Sequence, residues 1–168
     1  AQRTGMILAE AFMYRHHPQT KIVGQWLSDG RLGEVTRISA AFNFSGMDPS
    51  NVRLNPEWGG GSLWDVGVYP ISLAQYVMGG PPKWVFFFFW LGDSGVDMGF
   101  AGQMRYDDRR MAQIASSFYT PFHTQAVITG TEGTLSLNRP FTAMDDGGQH
   151  LTFTPPNGDP EPVSVPDE

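Results

Sequence analysis

Gly59-Gly60-Gly61-Ser62-Leu63-Trp64-Asp65-Val66-Gly67-Val68-Tyr69-Pro70 is the stretch whose reading decides the fold, because it joins a glycine hinge to an apolar-periodic segment that ends at Met78-Gly79-Gly80. It predicts a helix. Ser62 is the expected N-cap, its hydroxyl accepting one of the free first-turn N–H groups. Asp65 and Tyr69 then stand four residues apart on one face, near the positive end of the helix. Leu63, Val66, Ile71, Leu73, Ala74 and Val77 have the spacing of a stripe that packs on a core. Pro70 falls inside this helix, where its ring should kink the chain or its missing N–H should be absorbed by the turn after the hinge.

Working outward, the hinge follows a polar loop from Met47 to Trp58, and that loop follows a half-alternating strand from Glu34 to Ser45. Upstream of these, Pro18 opens a helix that runs to Ser28 or Asp29 and stops at Gly30. The apolar run Gly5 to Tyr14 is expected to form a strand buried on both faces in its first half. Beyond the central helix, Trp84 to Leu91 reads W-V-F-F-F-F-W-L, a strand expected to set one face on the core and the other against a helix layer or a second subunit. Four further strands follow: Val96 to Tyr106, Arg109 to Tyr119, Phe122 to Gly130 and Gly133 to Leu137. Leu151 to Phe153 is a short edge strand, and the proline-rich end from Pro155 to Glu168 should be extended. The order β-α-β-α and then a run of strands indicates an α+β domain. It should have one mixed, mainly antiparallel open sheet, with helices on one face and a subunit interface on the other.

The composition narrows the function classes. The 168 residues suit one domain. A net charge of −6 with 11 Lys and Arg scattered along the chain argues against nucleic acid, which needs a basic face. With no cysteine, disulfide scaffolds and thiolate metal sites are excluded, and a reducing compartment, the cytoplasm, is the expectation. No apolar run reaches the ~18 residues of a membrane span, and Ala1-Gln2-Arg3-Thr4 does not lead into a signal-peptide core. His16 and His17 are adjacent, and His123 and His150 are distant in sequence, so no metal is expected.

The opening E-A-F-M-Y-R-H-H-P-Q, the G-E-V of the second strand, N-P-E-W-G-G-G-S-L-W-D-V-G-V-Y-P-I and the later G-T-E-G-T-L, taken in that order, resemble one family. It is the C-terminal domain of the glucose–fructose oxidoreductase/inositol dehydrogenase (Gfo/Idh/MocA) family, and the resemblance covers nearly the whole chain. It implies a substrate-binding and oligomerisation domain that follows a Rossmann domain binding NAD or NADP, with the open sheet as the subunit interface. This sequence has no strand–GxGxxG–helix unit. It also lacks the family's Glu-Lys-Pro lysine, since Lys21 and Lys83 stand in other contexts. It is expected to be one half of an enzyme whose Rossmann domain lies outside residues 1–168.

By the same resemblance, Asp65 and Tyr69 occupy the catalytic Asp-x-Gly-x-His/Tyr positions, in the tyrosine branch. Oxidising a carbinol to a carbonyl requires a base within hydrogen-bond reach of the hydroxyl, and a phenol becomes that base when a cation stands nearby. Tyr69 is thus the expected acid/base and Asp65 the group that orients the substrate. Arg53 is a candidate clamp for sugar hydroxyls or a carboxylate. Tyr14 and Trp64 are candidate substrate contacts, and Arg15 and His16 candidate cofactor contacts. The structural alternative makes Asp65 a first-turn carboxylate, Tyr69 a core aromatic, Arg53 a solvated loop residue and Arg15-His16 a polar strand end. The expected partner is a sugar or polyol, and the expected assembly a homodimer or higher homo-oligomer. Two other functions stay open: a non-catalytic dimerisation module that has lost its nucleotide-binding domain, and a carbohydrate-binding domain that stacks sugars on Trp58, Trp64 and Trp90.

Overall fold

A computed structural model describes residues 1–142 and 151–166. Eight strands form one open sheet: β1 (Val35–Asn43), β2 (Trp84–Leu91), β3 (Asp97–Arg105), β4 (Met111–Ser117), β5 (His123–Gly130), β6 (Gly133–Asn138), β7 (Leu151–Thr154) and β8 (Glu161–Val163). Their spatial order is β2-β3-β4-β1-β5-β6-β7-β8. Only β1 and β4 run parallel; every other neighbouring pair is antiparallel. This is the mixed α+β sheet the sequence predicts. β1 is central because it alternates cleanly: Ile38, Ala40 and Phe42 are buried toward the helices, while the residues between them face the other side.

Both helices lie on the core face. In α1 (Pro18–Ser28), Pro18 occupies the first turn, His17 Nδ1 accepts the Gln19 N–H, and Val23 and Trp26 are buried. The Trp26 ring meets Phe153 of β7 edge-on. Asp29 closes the helix, and Gly30 with φ +72 turns the chain away. α2 (Val68–Met78) buries Leu73, Ala74, Val77 and Met78 and ends on left-handed Gly79. It is preceded by a π turn, Leu63–Gly67. The structure accommodates Pro70 just after this wider turn.

Three expectations are corrected. Gly5 to Ala11 forms no strand and is exposed, and Met13–His16 is a short 3-10 turn. Apolarity alone does not make a strand: Met6, Ile7 and Leu8 are exposed and pair with no strand of the sheet, neither at its centre, where β4 and β5 flank β1, nor at its open edges β2 and β8. In β2, which does span the predicted residues, both faces are largely exposed and only Phe87 packs on the core, edge-on to Phe100. β2 is an edge strand beyond the reach of the two helices, so Val85, Phe89 and Leu91 lack the cover expected of the inner face. Finally, the sheet ends at β8, which pairs with β7, so Leu151–Thr154 is not the edge.

Candidate functional site

The site begins with the hinge. Gly59 adopts φ +73 after the 3-10 turn Pro56–Trp58. Gly60 donates its N–H to Asn55 O and Gly61 donates to Arg53 O, both at 2.9 Å. A Cβ at Gly60 would collide with those same two carbonyls, and one at Gly61, where φ is +125, would collide with the Asp97 carboxylate. The glycines therefore serve both positive φ and close approach, and what they approach is the protein's own backbone and Asp97.

This packing fixes Arg53 beside the start of the helical segment. Arg53 Nε donates to Asp65 Oδ2 at 2.7 Å, and its guanidinium lies 5.9 Å from the Phe44 ring centre. Both side chains are partly open to solvent. Asp65 Oδ1 and the two terminal nitrogens of Arg53 make no hydrogen bond among the described residues. The result is a paired cation and anion with donors and an acceptor to spare.

The cap differs from expectation. Ser62 has helical φ/ψ, and its side chain does not cap its own turn. Its hydroxyl donates to Asp97 Oδ2 at 2.8 Å, and the same oxygen accepts the Leu63 N–H at 2.7 Å. Ser116 Oγ in turn donates to Ser62 Oγ at 2.9 Å. A carboxylate from β3 thus does what a local N-cap would do.

Tyr69, half-buried on α2, stands in an aromatic cluster: Phe12 at 5.4 Å, Phe42 at 5.5 Å, Phe141 at 5.9 Å and Tyr14 at 6.0 Å between ring centres. Its hydroxyl makes no hydrogen bond among the described residues, and no direct polar contact joins it to Asp65. Tyr14 is buried and donates to Ser72 Oγ at 2.9 Å. Burial pushes its phenol pKa up, against the lowering influence of Ser72 and Arg15. Arg15 also turns to Ser72, through Nη2 at 2.8 Å and Nε at 3.2 Å, and lies over the Tyr76 ring. His16 is exposed and lines, with Tyr14, Gln19 and Phe141, a cavity of about 450 Å³.

The structure thus joins Arg53 to Asp65 and Tyr14 to Tyr69. It commits most of Arg15 to α2 and leaves Trp64 71% exposed at the π turn. Asp97, Ser116 and Ser72 were missed by sequence reasoning. The first two reach Ser62 from 35 and 54 positions away, and no local pattern signals such a contact. Among the described residues, no group of three or more His, Asp or Glu could hold a metal ion, and no helix is long and apolar enough to cross a membrane. His150 lies outside the described residues.

An open mixed sheet with one helical face, and a glycine hinge leading into a helical segment that carries Asp65 and Tyr69, define an α+β domain with a single helical layer. The chain belongs to the GFO/IDH/MocA C-terminal domain family, which matches residues 20–136. It is 33% identical over 150 residues to a D-xylose 1-dehydrogenase (NADP(+)) of Haloferax volcanii, covering 89% of this chain and 46% of the relative. It is 27% identical over 149 residues to a dTDP-3,4-didehydro-2,6-dideoxy-alpha-D-glucose 3-reductase of Saccharopolyspora spinosa, covering 84% and 43%. The crystal structure of a 3-ketoreductase from Actinomadura kijaniata in complex with NADP and TDP-benzene superimposes with a TM-score of 0.87. That match has 26% identity and covers 99% of this chain and 51% of that one. The chain spans about half the length of the curated relatives it matches.

Proposed function

We propose that this domain is the substrate-binding and oligomerisation side of an NAD(P)-dependent oxidoreductase that interconverts a carbinol and a carbonyl on a sugar or polyol. The observation that carries the reading is the single helical segment that presents the Arg53–Asp65 pair at its start and Tyr69 one turn later. NADP is the favoured cofactor, since it is named for both the Haloferax relative and the Actinomadura structure. It would be held mainly by residues outside this chain, with His16 and the remaining face of Arg15 as this domain's contribution.

A nicotinamide cofactor, when bound, would supply the hydride acceptor or donor. The chain's own residues handle the proton and the orientation. Tyr69 takes the carbinol proton as the carbonyl forms, and returns it in the reverse direction, assisted by a lysine from outside residues 1–168 that supplies the cation a phenol needs for this role, worth ~10²–10⁴ in rate. Asp65 Oδ1 accepts a hydrogen bond from a neighbouring substrate hydroxyl. Arg53 neutralises that carboxylate through Nε and offers its terminal nitrogens to sugar oxygens. Exposed Trp64 supplies an aromatic wall, while buried Tyr14 packs against Tyr69 and so acts behind it and not as a direct substrate contact. The exposed Met6, Ile7 and Leu8 suit contact with a neighbouring domain. The open sheet face, where Phe86 and Phe88 flank Ser39, Ala41, Ala101 and Ala115, suits a second copy.

The test is turnover of the full polypeptide with NADP⁺ or NAD⁺ and a panel of sugars, repeated with Tyr69→Phe. The reading expects turnover in the parent and a loss of at least about 100-fold in the variant. Undiminished turnover would remove Tyr69 from the chemistry. The competing view of a non-catalytic dimerisation module is tested by the coding sequence upstream of Ala1: an in-frame βαβ unit ending in Glu-Lys-Pro excludes the module, and a stop codon followed by a fresh start supports it.

A further inference from the structure

We propose that Asp97 is a positioning residue for the candidate site, holding the π turn in the register that brings Asp65 to Arg53. Its Oδ2 accepts both the Leu63 N–H and the Ser62 hydroxyl, and its carboxylate occupies the space that a side chain at Gly61 would need. Asp97 is itself anchored. It opens β3 directly after buried Val96, and the neighbouring Met98 carbonyl accepts the Phe118 N–H at 2.8 Å.

The far end of the turn is held by the same strand. Gly67 lies so close to Phe100 that a Cβ there would overlap the buried ring, and Ser116 stands beside it. β3 therefore grips Leu63–Gly67 at both ends. A π turn holds more residues per turn than an α-helix and is rarely stable without outside support. If the grip at Leu63 is released, relaxation to α geometry displaces the hinge side by one residue, about 100° around the axis. Asp65 then leaves Arg53, while Tyr69, locked in its aromatic cluster on α2, stays. Asp97 is thus assigned to the geometry of Asp65 relative to Tyr69 and has no role in contacting substrate.

The activity arm of the test rests on the oxidoreductase reading; the exchange arm does not. Asp97→Ala, Asp97→Asn and Ser116→Ala are made in the full polypeptide, and amide hydrogen exchange is followed by mass spectrometry alongside kcat and cofactor affinity. In Asp97→Ala, exchange over residues 62–67 should accelerate at least about tenfold, with β4 to β6 unchanged. The kcat, counted per cofactor-binding subunit, should fall between about 10- and 100-fold at unchanged cofactor affinity. Asp97→Asn, whose carbonyl still accepts the Leu63 N–H, should recover most of both. Wild-type exchange over 62–67 in Asp97→Ala would overturn the proposal. So would acceleration spread evenly over the sheet, or an Asn variant no better than Ala. If Asp97→Ala does not fold, Asp97→Asn and Ser116→Ala decide by the same exchange pattern, with modest acceleration confined to 62–67 in support and none, or an even spread, against. A parent inactive on every sugar defeats the functional reading and leaves the exchange arm to decide the role of Asp97.

Discussion

Arg53 Nε and Asp65 Oδ2 meet at 2.7 Å across the glycine hinge, joining a loop residue to the first turn of the helical segment that carries Tyr69. The pair is held from below by Gly60 and Gly61, whose N–H groups bind the carbonyls of Asn55 and Arg53. Loop and helical segment are therefore joined through this contact. Because the Arg53 side chain is 43% exposed, solvent screens the pair strongly, and its worth lies in placement rather than in stability.

Arg53→Ala should therefore change unfolding free energy by less than about 1 kcal/mol in urea titration. In the full polypeptide, kcat/KM for the sugar should fall by about 10- to 100-fold. Arg53→Lys should rescue it poorly, because a lysine offers one point charge where the guanidinium serves Asp65 through Nε and keeps two other nitrogens free. Full activity in Arg53→Ala would return Arg53 to the class of solvated loop residues.

The hinge glycines should separate by mechanism. Gly60→Ala drives a methyl into two backbone carbonyls that have nowhere to go, so a loss of about 1–3 kcal/mol is expected. Gly59 has open space around it and a left-handed φ of +73, a conformation asparagine tolerates. Gly59→Asn should cost under about 1 kcal/mol. Thermal melts of the two variants check the order, and equal losses would contradict the packing described.

Tyr106 offers a pH test independent of function. Its hydroxyl is buried and has no hydrogen-bond partner among the described residues, and burial pushes its pKa up to about 12 from 10.0. The folded state thus keeps the proton that the unfolded chain gives up. The stabilising difference is fully present below the unfolded pKa near 10 and is lost as pH rises toward 12. Tyr106→Phe should leave stability at pH 7 unchanged or raise it by up to about 1 kcal/mol, since an unpaired buried hydroxyl is removed. It should also flatten the decline between pH 10 and 12 in urea titrations; a decline as steep as the parent's would assign it to other groups.

The parts of this fold legible in the sequence are those written in local chemistry. Pro18 and Gly30 bracket α1, and the alternation of Ile38, Ala40 and Phe42 marks a half-covered strand. The glycine run announces a backbone that must approach something closely. What stayed hidden depends on distant partners. Met6-Ile7-Leu8 has strand composition, but strand formation depends on pairing, and this segment pairs with neither open edge of the sheet. Ser62 looks like an N-cap, yet a carboxylate 35 residues later takes that task. The π turn follows from contacts with β3, which periodicity alone does not reveal. The phenylalanines of β2 were legible as a strand, while their exposure depends on where the sheet ends.

That exposed edge leads to the last prediction. Across the open face, Ser39, Ala41, Ala101 and Ala115 form a floor of small side chains, with Gln103, Gln113 and Gln125 around it and Phe86 and Phe88 along one side. The two phenylalanines are 63% and 70% exposed, and the concavity between these groups measures about 610 Å³. Small residues let a second sheet approach closely, glutamines can pair with their own symmetry copies, and the aromatics would anchor the contact. A stable dimer buries roughly 1,600 Å² in total, an area that a face of this kind can supply only if its centre stays free of bulk and charge. Ala101→Arg puts both at the centre, and Phe88→Glu charges the anchor. Each variant should run as a monomer in light scattering at concentrations where the parent is a dimer, with its circular dichroism unchanged because both positions point away from the core. A parent that is monomeric at high concentration, or an Ala101→Arg variant that still dimerises, would show that the open face is not where copies of this chain meet.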